Sequence, residues 1–223
     1  MTIRTATREE WLMERKALLR DEKALMRYKD HLAARRRALP WVKVDKAYTF
    51  ATDEGTQSLS DLFADKSQLI VYHFMFGPDW QDGCPGCSQV ADTFNFSIPH
   101  LETRDATLVA VSRTALDKIN TFKARMEWRF RWVSSLESDF NFDFDVSYRD
   151  PGPSQKTHNF RRVEVEMEEN HGISVFAKHE GAVYHTYSSY ARGVETMMVH
   201  LQYLDLVPKG REDGTGIEEG LRA

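Results

Sequence analysis

The chain's two cysteines stand at Cys84 and Cys87, with Pro85 and Gly86 between them. This spacing is the sequence form of a dithiol/disulfide redox site, in which one thiolate attacks and the second sulfur closes the ring. The preceding segment, residues 68–76, is apolar on both faces apart from His73 and reads as a central strand covered on two sides. A helix opening near Cys87 would aim its first N–H groups and its positive dipole end at the Cys84 sulfur. That field favours thiolate over thiol and pulls the pKa from ~8.5 toward neutrality. The intervening Pro-Gly argues for a turn rather than two packed core cysteines. A structural zinc site would need four ligands, and no second C-x-x-C or C-x-x-H is present. His73, His171 and His185 are the residues that could complete one; neither a metal nor a cofactor is assigned.

The elements that must position this pair follow from the rest of the chain. A length of 223 residues allows one sizeable domain with an extension, or two small ones. A hydrophobic content of 41%, with 13 Phe, is enough for a real core. The net charge of −4 argues against nucleic acid or an anionic membrane as a general partner. The first ten residues lack the apolar stretch of a signal peptide, and no apolar run approaches the ~18 residues of a spanning helix. A cytoplasmic protein is expected, where a lone C-x-x-C is catalytic or sensing rather than a staple.

Residues 8–37 read as a helix or helical hairpin with apolar pairs seven apart: Trp11/Leu12, Leu18/Leu19, Leu25/Met26 and Leu32/Ala33. The positions three and four along are mostly charged, so docking against the domain or a second subunit fits better than a coiled coil. Arg35, Arg36 and Arg37 suit the last turn of this helix. Pro40 ends it. Short strands follow at Trp41–Val44 and Tyr48–Phe50, then a short helix through Leu62 and Phe63. After the strand 68–76 and the C-x-x-C, a helix is expected from about Cys87 to Arg104, disturbed by Pro99. Thr107–Val111 is a second buried strand, and Leu116, Ile119, Phe122 and Met126 mark an amphipathic helix. Residues 140–148 read as extended or loop and 149–162 as a connecting loop. Residues 173–176 and 183–187 flank a turn at Glu180-Gly181 and should pair as a hairpin. A helix from Tyr190 to about Leu204 closes the domain. From residue 68 the order is β-α-β-α-loop-β-β-α, the thioredoxin arrangement, with the redox pair at the junction of the first core strand and first helix.

Longer motifs carry a resemblance. Residues 37–42 (Arg-Ala-Leu-Pro-Trp-Val), 71–80 (Val-Tyr-His-Phe-Met-Phe-Gly-Pro-Asp-Trp), 83–88 (Gly-Cys-Pro-Gly-Cys-Ser) and 185–193 (His-Thr-Tyr-Ser-Ser-Tyr-Ala-Arg-Gly) resemble the bacterial family catalogued as domain of unknown function 899. The similarity runs from the first helix to about Arg211. It implies an α/β, thioredoxin-like fold, a central mixed sheet flanked by helices, with a helical extension over 1–40, the domain over 41–207 and a flexible tail over 208–223. It implies a redox role and no settled substrate.

The chain departs from ordinary thioredoxins. Gly83 stands where they carry Trp, the pair encloses Pro-Gly rather than Gly-Pro, and the approach loop is longer. Pro78 and Trp80 in that loop are the candidate binding residues. His171-Gly172 precedes Ile173 where thioredoxins place a proline, which argues against their usual peptide-binding mode. Where thioredoxins carry a buried acid, this strand offers His73. It reads either as a core histidine satisfied by a backbone carbonyl or as the base that takes the Cys87 proton. Tyr72 is assigned to the opposite strand face and left out of the chemistry.

The leading expectation is a thiol–disulfide oxidoreductase, with Cys84 the exposed nucleophile and Cys87 the resolving thiol. Its partners would be a protein or small-molecule disulfide and a cytosolic thiol reductant. A thiol peroxidase is the first alternative, weakened because Gln81 and Asp82 occupy positions where a hydroxyl would be wanted. A redox sensor or binding module is the second, with the N-terminal helix as its partner or self-association surface.

Overall fold

A 30-residue helix, α1 (Arg8–Arg37), opens the computed structural model, which describes residues 3–150 and 152–211. Its start is locally encoded. The Thr7 hydroxyl accepts the Glu10 N–H at 3.2 Å, while the Glu10 carboxylate accepts the Thr7 N–H at 2.8 Å. Glu9 and Glu10 in the first turn and Arg35–Arg37 in the last complement the helix dipole. No residue of α1 is buried; Trp11, Leu18, Leu25 and Met26 are exposed. The chain divides into two compact units at Pro40/Trp41.

The second unit carries the strands β1 (Val42–Lys43), β2 (Thr49–Thr52), β3 (Gly55–Ser58), β4 (Gln68–His73), β5 (Ala106–Ser112), β6 (Trp132–Ser134), β7 (Gly152–His158), β8 (Arg161–Val165), β9 (Gly172–His179) and β10 (Ala182–Tyr190). Its helices are α2 (Pro85–Ala91), α3 (Phe94–Glu102), α4 (Leu116–Arg125), α5 (Phe140–Asp143) and α6 (Val199–Leu204). Eight strands form one sheet in the order β1-β10-β9-β4-β5-β6-β2-β3. β4 runs parallel to β5 and antiparallel to β9, and β10 turns back antiparallel on β9. The β10-β9-β4-β5 centre, entered by a β-α-β crossover and left by a hairpin and closing helix, is the thioredoxin-like core.

Period-two alternation divides the strand residues between two cores. Tyr72, Phe74, Leu108, Ala110 and Ile173 join the α2 and α3 side chains on one face. Leu69, Val71, Val109, Val111 and Phe176 pack with Phe50 and Phe140 on the other. That double burial explains the near-continuous apolar reading of β4 and β5.

Several elements differ from their sequence readings. β4 leaves the ladder after His73 rather than at residue 76. The helix expected over 87–104 begins at Pro85 and breaks at Asp92–Thr93, giving α2 and α3, with Pro99 inside α3. Residues 140–143 form the short α5 within the stretch read as extended or loop. The stretch 149–162 contains β7 and the start of β8; Asn159 and Phe160 at its turn both have positive φ, 48° and 62°, as a tight two-residue hairpin loop requires. The closing helix is a 3-10 segment over 191–197 followed by α6. Most of the segment read as a flexible tail, residues 212–223, lies outside the described residues. No helix among the described residues is long and apolar enough to cross a membrane.

Candidate active site

Cys84 and Cys87 sit at the head of α2, where the chain returns from the approach loop 77–83 to the end of β4. Two bonds tie this return. The Cys84 N–H donates to the Met75 carbonyl at 3.0 Å, and the Met75 N–H points to the Cys87 sulfur at 3.5 Å. Gly83 makes the approach possible: a Cβ there would meet the Phe74 ring at 2.7 Å and Phe122 at 3.2 Å. The loop is held from the α4 side. Lys118 donates to the carbonyls of Pro78 at 2.7 Å and Trp80 at 3.2 Å, and Arg125 pairs with Asp82 at 2.6 Å.

Both cysteines are free thiols. Cys84 is the N-cap of α2, and its sulfur accepts the Cys87 N–H at 3.4 Å. The Cys87 thiol, together with the backbone N–H groups of Cys87 and Gly86, holds the Cys84 thiol below its ordinary pKa against the opposing effect of burial. Cys87 goes the other way. Burial and the adjoining Cys84 push it well above the ordinary thiol value, while Tyr72 and the Met75 N–H act to lower it. The pair is therefore electrostatically unequal, with the thiolate favoured on Cys84.

The exposure expected for Cys84 is corrected. Cys84 is 3% exposed and Cys87 1%, because both belong to the core cluster under α2 and α3. Trp80 is half-buried and packs against that same cluster, whereas Pro78 is held through its carbonyl, which accepts from Lys118.

The assignment of strand faces is reversed. Tyr72 lies on the cysteine side, its ring against Phe94 at 5.4 Å and Phe74 at 6.2 Å. His73 lies on the other side. Its Nε2 bonds the Ser174 hydroxyl at 2.9 Å, and its ring stacks on Phe140 at 5.5 Å and Phe144 at 6.0 Å. Burial, with a smaller effect of His185, pushes its pKa down to about 3. Nδ1 is buried without a partner. Its bonds thus run to a hydroxyl on β9 rather than to a sulfur or a backbone carbonyl. The Ser174 hydroxyl continues to Ser188 at 3.1 Å, and Ser188 to His185 at 2.8 Å, so two of the three histidines considered as zinc ligands belong to this chain of bonds. Among the described residues no group of three His, Cys, Asp or Glu could hold a metal ion.

One feature lies outside the sequence reading, a charged cluster beside the approach loop. Arg113, just past β5, pairs with Glu169 at 2.6 Å and Glu168 at 3.2 Å. Glu169 is 1% exposed and also accepts the Ser147 hydroxyl at 2.6 Å; burial outweighs these partners and raises its pKa to about 7. A Cβ on Gly77 would come within 3.0 Å of Glu168 Oε1 and 2.9 Å of Trp80 Nε1, so the cluster reaches the start of the loop. Its members are far apart in sequence and carry no spacing signal.

The family model described as "Bacterial protein of unknown function (DUF899)" matches residues 1–222. No curated protein matches the chain. Among solved structures it is similar to PrxQ of Xylella fastidiosa, at 18% identity over 70% of this chain and 88% of that one, with a TM-score of 0.45. The bacterioferritin comigratory protein of Xanthomonas campestris aligns at 16% identity over 70% and 90%, also at 0.45. The peroxidoxin BcpB of Mycobacterium tuberculosis aligns at 15% identity over 74% and 96%, again at 0.45.

Proposed function

The chain belongs to the DUF899 family of bacterial proteins, and for its site we propose thiol–disulfide exchange. The observation that carries this reading is the unequal placement of the two thiols: the Cys84 sulfur caps α2 and accepts the Cys87 N–H at 3.4 Å, which favours its thiolate, whereas Cys87 is buried within the first turn, which disfavours its own. The Cys84 thiolate attacks one sulfur of a substrate disulfide, forming a mixed disulfide and expelling the other sulfur as a thiolate that takes up a proton. Cys87 then loses its proton and attacks Cys84. The Cys84–Cys87 bond forms, the second substrate thiolate leaves, and the substrate has gained two electrons from the dithiol. A thiol or dithiol reductant restores the starting state by the same exchange.

Peroxide reduction draws less support. It calls for a hydroxyl and a cation at the attacking sulfur. Gln81 and Asp82 stand where the hydroxyl would be wanted, and both arginines flanking the loop are occupied by carboxylates, Arg113 by Glu168 and Glu169 and Arg125 by Asp82.

The deciding experiment equilibrates the full chain in thiol/disulfide buffers of graded potential, followed by acid quench, alkylation and mass analysis. A reversible two-electron transition is expected, with a midpoint within the range of about −270 to −120 mV spanned by related pairs. Absence of a reversible Cys84–Cys87 disulfide would remove the reading.

A further inference from the structure

The Tyr72 hydroxyl is the buried polar group of β4 in the cluster that holds Cys84 and Cys87, and it has no hydrogen-bond partner. Buried hydroxyls in folded proteins are nearly always satisfied, so an orphaned one calls for a use. The Cys87 sulfur belongs to the same cluster, and the Met75 N–H points to it at 3.5 Å. Titratable groups facing this spot are few. Cys84 and Cys87 come from the head of α2 and Tyr72 from β4; the surrounding cluster adds apolar side chains such as Leu108 of β5, Phe94 of α3 and Ile173 of β9.

We propose that the Tyr72 hydroxyl is the hydrogen-bond donor that stabilises the Cys87 thiolate in the closing step, a role that rests on the exchange chemistry proposed above. In the resting dithiol the Cys87 proton serves the Cys84 sulfur. Once Cys84 is bonded to a substrate sulfur, that acceptor is neutral and Cys87 must release its proton to solvent from a buried site. Two donors lie on this side of the sheet for the thiolate left behind, the Met75 N–H at 3.5 Å and the buried Tyr72 O–H of the same cluster. Tyr72 keeps its own proton throughout, because burial and the adjoining sulfurs push its pKa well above the ordinary phenol value. It acts as a donor and never as a base. The electron pair so held then forms the Cys87–Cys84 bond, the Cys84–substrate bond breaks, and the substrate thiolate departs and is protonated.

The size and sign of the effect follow from thiol chemistry. Losing one hydrogen bond to the anion should raise the Cys87 pKa by about one unit, a tenfold drop in thiolate at neutral pH. The more basic thiolate is a better nucleophile by roughly threefold, from a Brønsted slope of about 0.4–0.5. Tyr72→Phe should therefore close its disulfide about threefold more slowly at neutral pH and about threefold faster once both forms are fully ionised. A purely structural role for Tyr72 predicts no such crossover. The substitution deletes an unpartnered hydroxyl and keeps the ring, so the fold is retained.

The test mixes the reduced full-length protein with dithiobis(nitrobenzoate) in a stopped-flow instrument across pH. The first chromophore release reports attack by Cys84, and the second reports closure by Cys87. Expected for Tyr72→Phe are an unchanged first release and a second release whose pH profile is shifted upward with the crossover. A second release with the wild-type profile would overturn the role of Tyr72 alone. A wild-type protein that yields a single release would overturn the exchange chemistry itself, and this role with it. In a Cys84→Ser background, ultraviolet thiolate absorbance gives the Cys87 pKa directly. Equal values with Tyr and Phe at position 72 would overturn the proposal independently of turnover.

Discussion

Substituting His73→Phe should change how stability depends on pH while leaving disulfide closure intact. His73 is fully buried, stacked on Phe140 and Phe144, and its pKa is held at about 3 against an unfolded value near 6.5. A base with a depressed folded pKa is neutral in the fold while the unfolded chain gains a proton. Stability is therefore fully present above about pH 6.5 and drains away as pH falls from there toward about 3. Between pH 7 and pH 5 the unfolded state gains about 2 kcal/mol from this one proton, which the folded state cannot match. The Phe variant keeps a ring against Phe140 and Phe144 and loses both the titration and the bond to Ser174. Its stability relative to wild type should thus rise by about 2 kcal/mol on going from pH 7 to pH 5. His171, pushed down to about 4 chiefly by burial, contributes acid sensitivity to both proteins alike and cancels in the difference. Urea unfolding of both proteins at the two pH values measures the quantity. A difference that stays constant with pH would refute the claim that His73 is held neutral in the core. A Phe variant that also closes its disulfide more slowly would restore the histidine as a proton acceptor for Cys87.

At neutral pH iodoacetamide should label Cys84 before Cys87, with both slower than a free thiol because each is buried; equal or reversed labelling by peptide mass mapping would contradict the inequality of the pair. Arg113→Met should cost about 3–5 kcal/mol at pH 8, where it strands the buried Glu169 carboxylate. The loss should be smaller at pH 6, where Glu169 with its raised pKa takes up a proton; denaturant unfolding showing a pH-independent loss would refute the pairing argument.

The Cys87 thiol and the N–H groups at the head of α2 oppose the effect of burial on Cys84, so a covered sulfur still has its pKa lowered.

The C-x-x-C, the buried strands around residues 70 and 109, the hairpin after residue 172 and the order of the core elements are legible in the residues themselves. Each rests on local information: a turn-forming Pro-Gly between cysteines, apolar runs of strand length, and turn residues between them. The α1 helix is equally local, down to the Thr7/Glu10 box and its terminal arginines. Short or unusual elements were not legible. The four residues of α5 are too few to show a helical period, and the β7–β8 hairpin turns on Asn159-Phe160, without the glycine that normally marks such a loop. Alternation along β4 requires that Tyr72 and His73 face opposite ways, but which one meets the sulfurs depends on the side of the sheet that α2 covers. That is settled by the path of the loop 77–83 and by the packing of α2 on Tyr72, Phe74 and Phe94. The pairing of Arg113 with Glu169 likewise spans 56 positions and joins segments that flank the end of β4, one just past β5 and one just before β9. Sequence thus determines which groups are available and in what local geometry. The tertiary structure decides which of them share a low-dielectric site, because burial and the direction of each strand face, and with them the shifts of Cys87, His73 and Glu169, are properties of the assembled sheet.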